Sequence, residues 1–310
     1  MNEILRIVAA GDHFVRPRMI SETISAIWPR ERSGRAFLVR ELTLGWPLEP
    51  FGPVAEVDEA GGTEEAVIQA LADDREVLIT QMASVTERVM ESSPALRLVV
   101  VCRGGPVNVN LDAAKVNDVR VCYASGRNAA ATAEFTVGLL LAALRRIPQA
   151  HDLLAGQRSW QGATYYTYEQ SGLELEDLPV GLVGYGAVGS RVARALCAFG
   201  AQVMVYDPYV RGEIQGLRVS SLDELLRRSR VITLHARLTP ETRELALLPE
   251  GAVVVNAARG PLLDEDALCD ALESGRLSGA ALDTYEREPV PEGSRLFELA
   301  DRVVMTPCLT

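Results

Sequence analysis

The chain has 310 residues, 48% of them apolar, which is long for one compact core and comfortable for two. A formal charge of −11 speaks against nucleic acid or an anionic membrane as a partner. The five cysteines (Cys102, Cys122, Cys197, Cys269, Cys308) are scattered and never form a CxxC pair, which argues against a disulfide framework or a metal site and for a reducing cytoplasm.

No apolar run reaches membrane-spanning length, and the opening Met1-Asn2-Glu3-Ile4-Leu5-Arg6 lacks the pattern of a signal peptide. Runs rich in β-branched residues alternate with helical patterns, predicting parallel sheets covered by helices. Strands are expected at residues 4–9, 77–79, 98–102 and 120–123, helices at 63–71 and 85–91, and a loop at 45–52 in which prolines are frequent. The Trp28-Pro29 step ends whatever precedes it. An apolar helix is expected over 129–147, with Ala131, Phe135, Leu139 and Leu140 at helical spacing and Pro148 ending it. Its length suits a connector between two α/β blocks. The segment 156–172 carries Trp160 and the Tyr165-Tyr166-Thr167-Tyr168 cluster, aromatics that either line a cleft or pack the connector against a domain.

The second block is more regular. A strand at 180–183, a helix at 187–199 ended by Gly200, and a strand at 202–206 follow in order. Ser221-Leu222-Asp223-Glu224 is a capping box, and further strands are expected at 231–235, 252–256, 279–282 and 302–306. The basic pairs Arg145-Arg146 and Arg227-Arg228 fall in helical stretches and read as solvated faces.

Between the first strand and helix of this block stands Gly184-Tyr185-Gly186-Ala187-Val188-Gly189, a GxGxxG loop. Its context is what dinucleotide binding requires, an apolar strand entering and an amphipathic helix leaving. Gly184 permits the tight turn, Gly186 lets a pyrophosphate approach the backbone, and Gly189 lets helix and strand pack closely. The N–H groups of Ala187 and Val188 open the helix toward the phosphate charge. Eighteen residues after Gly189, the next strand ends at Asp207, placed to accept from both ribose hydroxyls and to repel a 2′-phosphate. The loop predicts NAD as cofactor.

Three motifs lie downstream: Leu234-His235-Ala236-Arg237-Leu238-Thr239-Pro240-Glu241-Thr242, Val255-Asn256-Ala257-Ala258-Arg259-Gly260 and Ala281-Leu282-Asp283-Thr284-Tyr285-Glu286-Arg287-Glu288-Pro289, with Thr306-Pro307-Cys308 after them. With these, the sequence from about Leu96 onward resembles the D-isomer-specific 2-hydroxyacid dehydrogenases, which include phosphoglycerate, glycerate and formate dehydrogenases. The resemblance implies an α/β chain of two doubly wound Rossmann-like domains with parallel sheets and a cleft between them. Residues 1–125 would form a flavodoxin-like substrate-binding domain and 126–305 the NAD-binding domain, with 306–310 beginning a return segment that stops at Thr310. It further implies a homodimer acting on a small 2-oxo or 2-hydroxy acid.

By the same resemblance, Arg259 clamps the substrate and Glu288 is the carboxylate that pairs with the catalytic acid. Asp283 contacts the nicotinamide carboxamide, and His235, Ala236 and Ala257 lie along the cofactor. Gly104 and Gly105 offer backbone N–H groups to the substrate carboxylate, with Asn108 in the same motif. Arg103 and Arg127 flank this turn, either to bind a second anionic group or to make structural salt bridges. The chain departs from the family at Cys308, which stands where the histidine acid is expected, at Arg237, which replaces a usual proline, and over 243–249, which is short. A thiol can donate a proton but is shorter than imidazole, and its thiolate is a poor neighbour for Glu288. A water near Cys308, or His13, are other sources of that proton. Two functions follow: an NAD-dependent oxidoreductase interconverting a 2-oxo acid and a D-2-hydroxy acid, or a catalytically weakened NAD(H)-binding sensor or interaction protein.

Overall fold

A computed structural model describes residues 4–28, 36–49, 51–160, 172–236 and 245–308. Arg237 and the rest of its motif to Thr242, the tyrosine cluster, Pro29, residues 243–244 of the short segment and residues 309–310 lie outside the described residues. The chain divides into two compact units, Met1–Arg127 and Asn128–Thr310.

The first unit carries β1 (Leu5–Gly11), β2 (Phe37–Thr43), a small antiparallel hairpin of β3 (Gly52–Val54) and β4 (Val57–Ala60), then β5 (Val77–Thr80), β6 (Leu98–Val101) and β7 (Arg120–Tyr123). Its main sheet is parallel throughout, in the order β2-β1-β5-β6-β7. The order reverses at β1, so the loops leaving β1 and β5 diverge to opposite faces and open a crevice at the carboxyl edge. Short apolar runs such as Leu98–Val101 suit strands covered on both faces, and Val99 and Val101 are fully buried. Thr63 and Thr86 cap the helices Glu64–Leu71 and Glu87–Glu91 by accepting from Ala66 N and Val89 N. The sequence did not signal β2, because Phe-Leu-Val-Arg-Glu-Leu-Thr is a half-exposed edge strand with charges in its middle. The expected loop across 45–52 ends one residue early, since Gly52 begins β3.

The second unit contains β8 (Pro179–Val183), β9 (Gln202–Tyr206), β10 (Leu217–Arg218), β11 (Val231–Leu234), β12 (Ala252–Asn256), β13 (Leu277–Leu282) and β14 (Val303–Met305). They form one parallel sheet in the order β10-β9-β8-β11-β12-β13-β14. Here the order reverses at β8, and the crevice opens between the loops after β8 and β11. The helix Gly189–Ala198 buries Gly189, Val192, Ala193 and Leu196, the spacing of one helical face. In the capping box Ser221 accepts from Glu224 N, but Glu224 returns to the N–H and hydroxyl of Ser220, one residue earlier than expected.

The long apolar helix runs Ala129–Leu144, three residues shorter than its pattern suggests. Arg146, in the left-handed conformation at φ 53°, breaks it, and Pro148 lies in the first turn of the helix Ile147–His151. Proline opens that helix because its missing N–H would have had no partner there. The long helix is more than a connector: Leu139, Leu140 and Leu144 share a buried cluster with Leu182 and Leu196 of the second unit. Leu140→Ala is therefore expected to lower stability by about 2–5 kcal/mol, read by chemical denaturation. A change near zero would mean that the helix is not part of this core.

Candidate active site

In the second unit the described residues expected to bind cofactor or substrate follow strands at the carboxyl edge of the seven-stranded sheet. Gly184 to Gly189 follow β8, Asp207 follows β9, and His235 and Ala236 follow β11. Ala257 and Arg259 follow β12, Asp283 and Glu288 follow β13, and Cys308 follows β14.

The three glycines of the loop differ in what surrounds them. Gly184 adopts φ 93°, and a Cβ there would lie 2.7–2.8 Å from the backbone of His235 and Ala236. A Cβ on Gly189 would strike the carbonyl oxygen of Gly184 and sit 3.1 Å from Leu182. At Gly186 a Cβ would meet nothing within 4 Å. Two glycines thus permit close backbone packing and the middle one faces open space, the arrangement a pyrophosphate cradle needs. The helix starting at Gly189 supplies the N–H groups of its first turn.

Asp207 ties the cradle to the next strand. Its Oδ2 accepts from Tyr185 N at 2.7 Å, and its Oδ1 from Tyr209 N at 2.8 Å and Val210 N at 3.1 Å. A carboxylate has about four acceptor positions, so a ribose hydroxyl can still be held. The Tyr185 hydroxyl in turn accepts from Gln215 N at 2.9 Å. These residues fit a dinucleotide.

After β11, the His235 ring nitrogen Nε2 lies 2.9 Å from Thr233 Oγ1, and burial pushes its imidazole down to about 3. After β12, buried Asn256 wraps its own turn, accepting from Ala258 N at 3.1 Å and donating to Arg259 O at 2.9 Å. That turn presents the exposed Arg259, whose guanidinium donates to Ala258 O at 2.8 Å. A Cβ on Gly260 would strike Tyr285 O, so the loops after β12 and β13 are in backbone contact. Asp283 is fully buried; its N–H donates to Asn256 O at 2.9 Å and its Oδ1 accepts from Thr306 Oγ1 at 2.6 Å. Glu288, exposed, accepts from Tyr285 N at 3.0 Å through Oε1. The buried Tyr285 hydroxyl lies 2.9 Å from Thr306 O, and burial pushes its phenol up to about 12. Cys308 takes φ 52° and its N–H donates to Thr306 O at 3.1 Å.

In the first unit, Gly104 and Gly105 follow β6, and a Cβ on either would meet nothing within 4 Å. Asn108 is fully buried and donates to Ala83 O at 2.7 Å, joining this turn to the one after β5. Arg103 forms an ion pair with Glu59, the structural alternative for that residue. Arg127 is exposed and close enough to Asp12 and Cys102 to act on both electrostatically. Asp12 itself is fully buried at the end of β1, and burial raises its carboxyl above the usual range.

Sequence reasoning passed over Asp12, Tyr285 and Thr306 as shaping residues. Asp12 stands between Gly11 and His13 with no motif around it. Tyr285 and Thr306 act through contacts 21 residues apart along the chain, which no local pattern reveals.

Because His235 stays neutral in the native state while an unfolded histidine titrates near 6.5, the unfolded chain binds the extra proton as pH falls from ~6.5 toward 3. Stability from this residue is thus complete above ~6.5 and lost progressively below it. In His235→Asn the fall in denaturation midpoint between those pH values is expected to be shallower than in wild type. An unchanged slope would show that His235 is protonated in the folded chain.

Residues 137–309 match the model of the D-isomer specific 2-hydroxyacid dehydrogenase NAD binding domain. D-3-phosphoglycerate dehydrogenase of Mycobacterium tuberculosis is 38% identical over 269 residues, 84% of this chain and 49% of that protein. The putative 2-hydroxyacid dehydrogenase YoaD of Bacillus subtilis is 34% identical over 254 residues, 79% of this chain and 74% of that protein. The chain spans about half the length of the phosphoglycerate dehydrogenases it matches. Among solved structures, the TT0316 protein of Thermus thermophilus superposes with a TM-score of 0.77 at 28% identity, covering 98% of this chain and 89% of that one. D-lactate dehydrogenase from Aquifex aeolicus, complexed with NAD and lactic acid, gives 0.70 at 26% identity, covering 99% and 88%. The match over residues 137–309 and the relatives above 30% identity show that the chain belongs to the D-isomer-specific 2-hydroxyacid dehydrogenase family, carrying that family's NAD binding domain.

Proposed function

We propose that the protein is an NAD-dependent oxidoreductase that interconverts a 2-oxo acid and a D-2-hydroxy acid. The observation that carries this is Arg259, presented by the Asn256-wrapped turn on the same sheet edge as the Gly184–Gly189 cradle. When bound, the nicotinamide supplies or accepts the hydride. Gly184, Gly186, Ala187, Val188, Gly189 and Asp207 hold the dinucleotide, and His235, Ala236, Ala257 and Asp283 line it. The neutral His235 adds no charge beside it. Thr306 fixes the Asp283 carboxylate by donating to its Oδ1.

On reduction, hydride adds to C2 of the oxo acid and a proton must reach its oxygen. Arg259 polarises that carbonyl and stabilises the charge developing on oxygen. The Gly104 and Gly105 N–H groups hold the substrate carboxylate. The proton comes from the position of Cys308, either from the thiol or from water beside it, and Glu288 sets the charge there. The unit Met1–Arg127 serves as the substrate-binding domain and Asn128–Thr310 as the NAD-binding domain. The five scattered cysteines, none in a CxxC pair, fit a reducing cytoplasm, and a homodimer is the assembly we propose from the family resemblance. No helix among the described residues is long and apolar enough to cross a membrane.

Cys308 is the observation that favours a second reading, an NAD(H)-binding sensor. A panel of 2-oxo acids with NADH separates the two. Arg259→Ala is expected to lower turnover by about 10²-fold or more, and Cys308→His to raise it by about 10²-fold. If neither wild type nor Cys308→His turns over any acid while NADH binding persists, the sensor reading replaces the enzyme.

A further inference from the structure

The two glycines that would meet the substrate carboxylate are not shaped by their own surroundings. Neither Gly104 nor Gly105 has a positive φ, and a Cβ on either would meet nothing within 4 Å. Among the described residues, neither glycine N–H donates to a protein acceptor. Glycine loses more conformational freedom on ordering than any other residue, so a pair of them resists a fixed geometry. That geometry must be imposed from the flanks.

Both flanks are fastened to the β3–β4 hairpin. On one side, Arg103 forms an ion pair with Glu59 of β4 through Nη2, and its Nη1 donates to Glu59 O at 3.3 Å. On the other, Asp58 N donates to Val107 O at 3.1 Å and Asn110 Nδ2 to Glu56 Oε1 at 2.8 Å. The Arg103 carbonyl meanwhile accepts from Ala124 N at 3.0 Å, just after β7. Side-chain exposures of 18% for Arg103 and 29% for Glu59 leave the ion pair less screened by solvent than a surface pair. Glu59 takes φ 42°, a left-handed bend within its strand, and meets one guanidinium with both its carbonyl and its carboxylate. A residue with a side chain keeps that conformation only where other contacts hold it. The hairpin is itself anchored: at its end Gly61 N donates to Met82 O at 2.7 Å, and Glu56 Oε1 also accepts from Glu87 N at 2.7 Å.

We infer that the β3–β4 hairpin sets the turn at Gly104 and Gly105, with Glu59 a positioning residue that acts through Arg103. This rests on the dehydrogenase proposal, which puts the substrate carboxylate at that turn. A guanidinium gripped at two nitrogens is fixed in direction as well as in place. The N–H groups of the next two residues inherit that fixed start, and the bond to Val107 O fixes their end. The pairing also settles the charge. Arg103 adjoins the turn, yet Glu59 answers its charge, so the carboxylate meets N–H groups in a set geometry rather than a mobile cation.

The test is calorimetric titration of the NADH-loaded full chain with oxamate, an unreactive analogue of a 2-oxo acid, alongside turnover of glyoxylate. Glu59→Ala, Arg103→Ala and the double variant are each expected to weaken oxamate binding about ten-fold, because all three remove the same latch. In turnover the loss falls on KM for glyoxylate rather than on kcat or NADH affinity, the mark of lost ground-state binding. Thermal midpoints check the fold. If Glu59→Ala unfolds, Glu59→Gln, which retains an acceptor, takes its place with a smaller loss expected. Tighter oxamate binding in Glu59→Ala, with loss only in Arg103→Ala, overturns the inference, since Arg103 would then bind the carboxylate itself. A lowered midpoint with unchanged oxamate affinity also overturns it and leaves the pair a structural one. The expected pattern without any turnover upholds the latch and refutes the dehydrogenase proposal.

Discussion

The second unit depends on one close approach, where the backbone of Gly184 meets the backbone of His235 and Ala236 at the reversal of strand order. No side chain fits between them, so the loops after β8 and β11 are fixed relative to each other by contact rather than by flexible groups. The remaining loops are linked in sequence to this pair. Asp207 binds Tyr185 N from one side; on the other, Asn256 O accepts from Asp283 N, Gly260 lies against Tyr285, and Thr306 binds Asp283. Preorganisation of this kind is what the proposed hydride transfer requires, since small misplacements of a reacting group are costly in rate.

The first unit uses the same solution with different parts. Its sheet reverses at β1, Gly11 permits the tight exit, and Asp12 substitutes hydrogen bonds for the contact that Gly184 makes. Thr80 closes the next turn by accepting from Ala83 N at 2.8 Å, and Asn108 ties that turn to its neighbour. Buried polar groups of this kind are expensive unless bonded, so they specify loop geometry more sharply than apolar packing would. The cost is visible in the oxygens of Gln81, Ser84 and Asn108, which are buried without a protein partner.

What could be read from the sequence followed from locality. The cradle, Asp207 and the described parts of the strand-end motifs are short segments shaped by neighbours in the chain, and each follows a strand at the carboxyl edge. The edge strand β2 and the hairpin β3–β4 were hidden because half-exposed strands carry charge and lose the apolar run. The end of the long helix was misjudged because Arg146, not Pro148, breaks it, and a left-handed arginine has no sequence signature. Arg103 was ambiguous until Glu59 appeared beside it, a pairing across 44 residues. The clamp of Tyr285 on Thr306 belongs to the same class of information, long-range and invisible in any window.

The turn at Cys308 separates scaffold from reagent. Thr306 bonds to Asp283 through its hydroxyl and to Leu282 O through its N–H at 3.0 Å, while Tyr285 holds its carbonyl. Cys308 then bonds back to Thr306 O through its own N–H. These bonds use backbone groups and neighbouring side chains. In the proposed reaction, a thiol in place of an imidazole here changes the chemistry of the proton donor. A thiol ordinarily titrates about two units above an imidazole. It gives up reach and the positive charge that an imidazolium would set against Glu288, which here accepts instead from the backbone of Tyr285. In the proposed reaction the electrostatic burden of carbonyl polarisation then falls on Arg259.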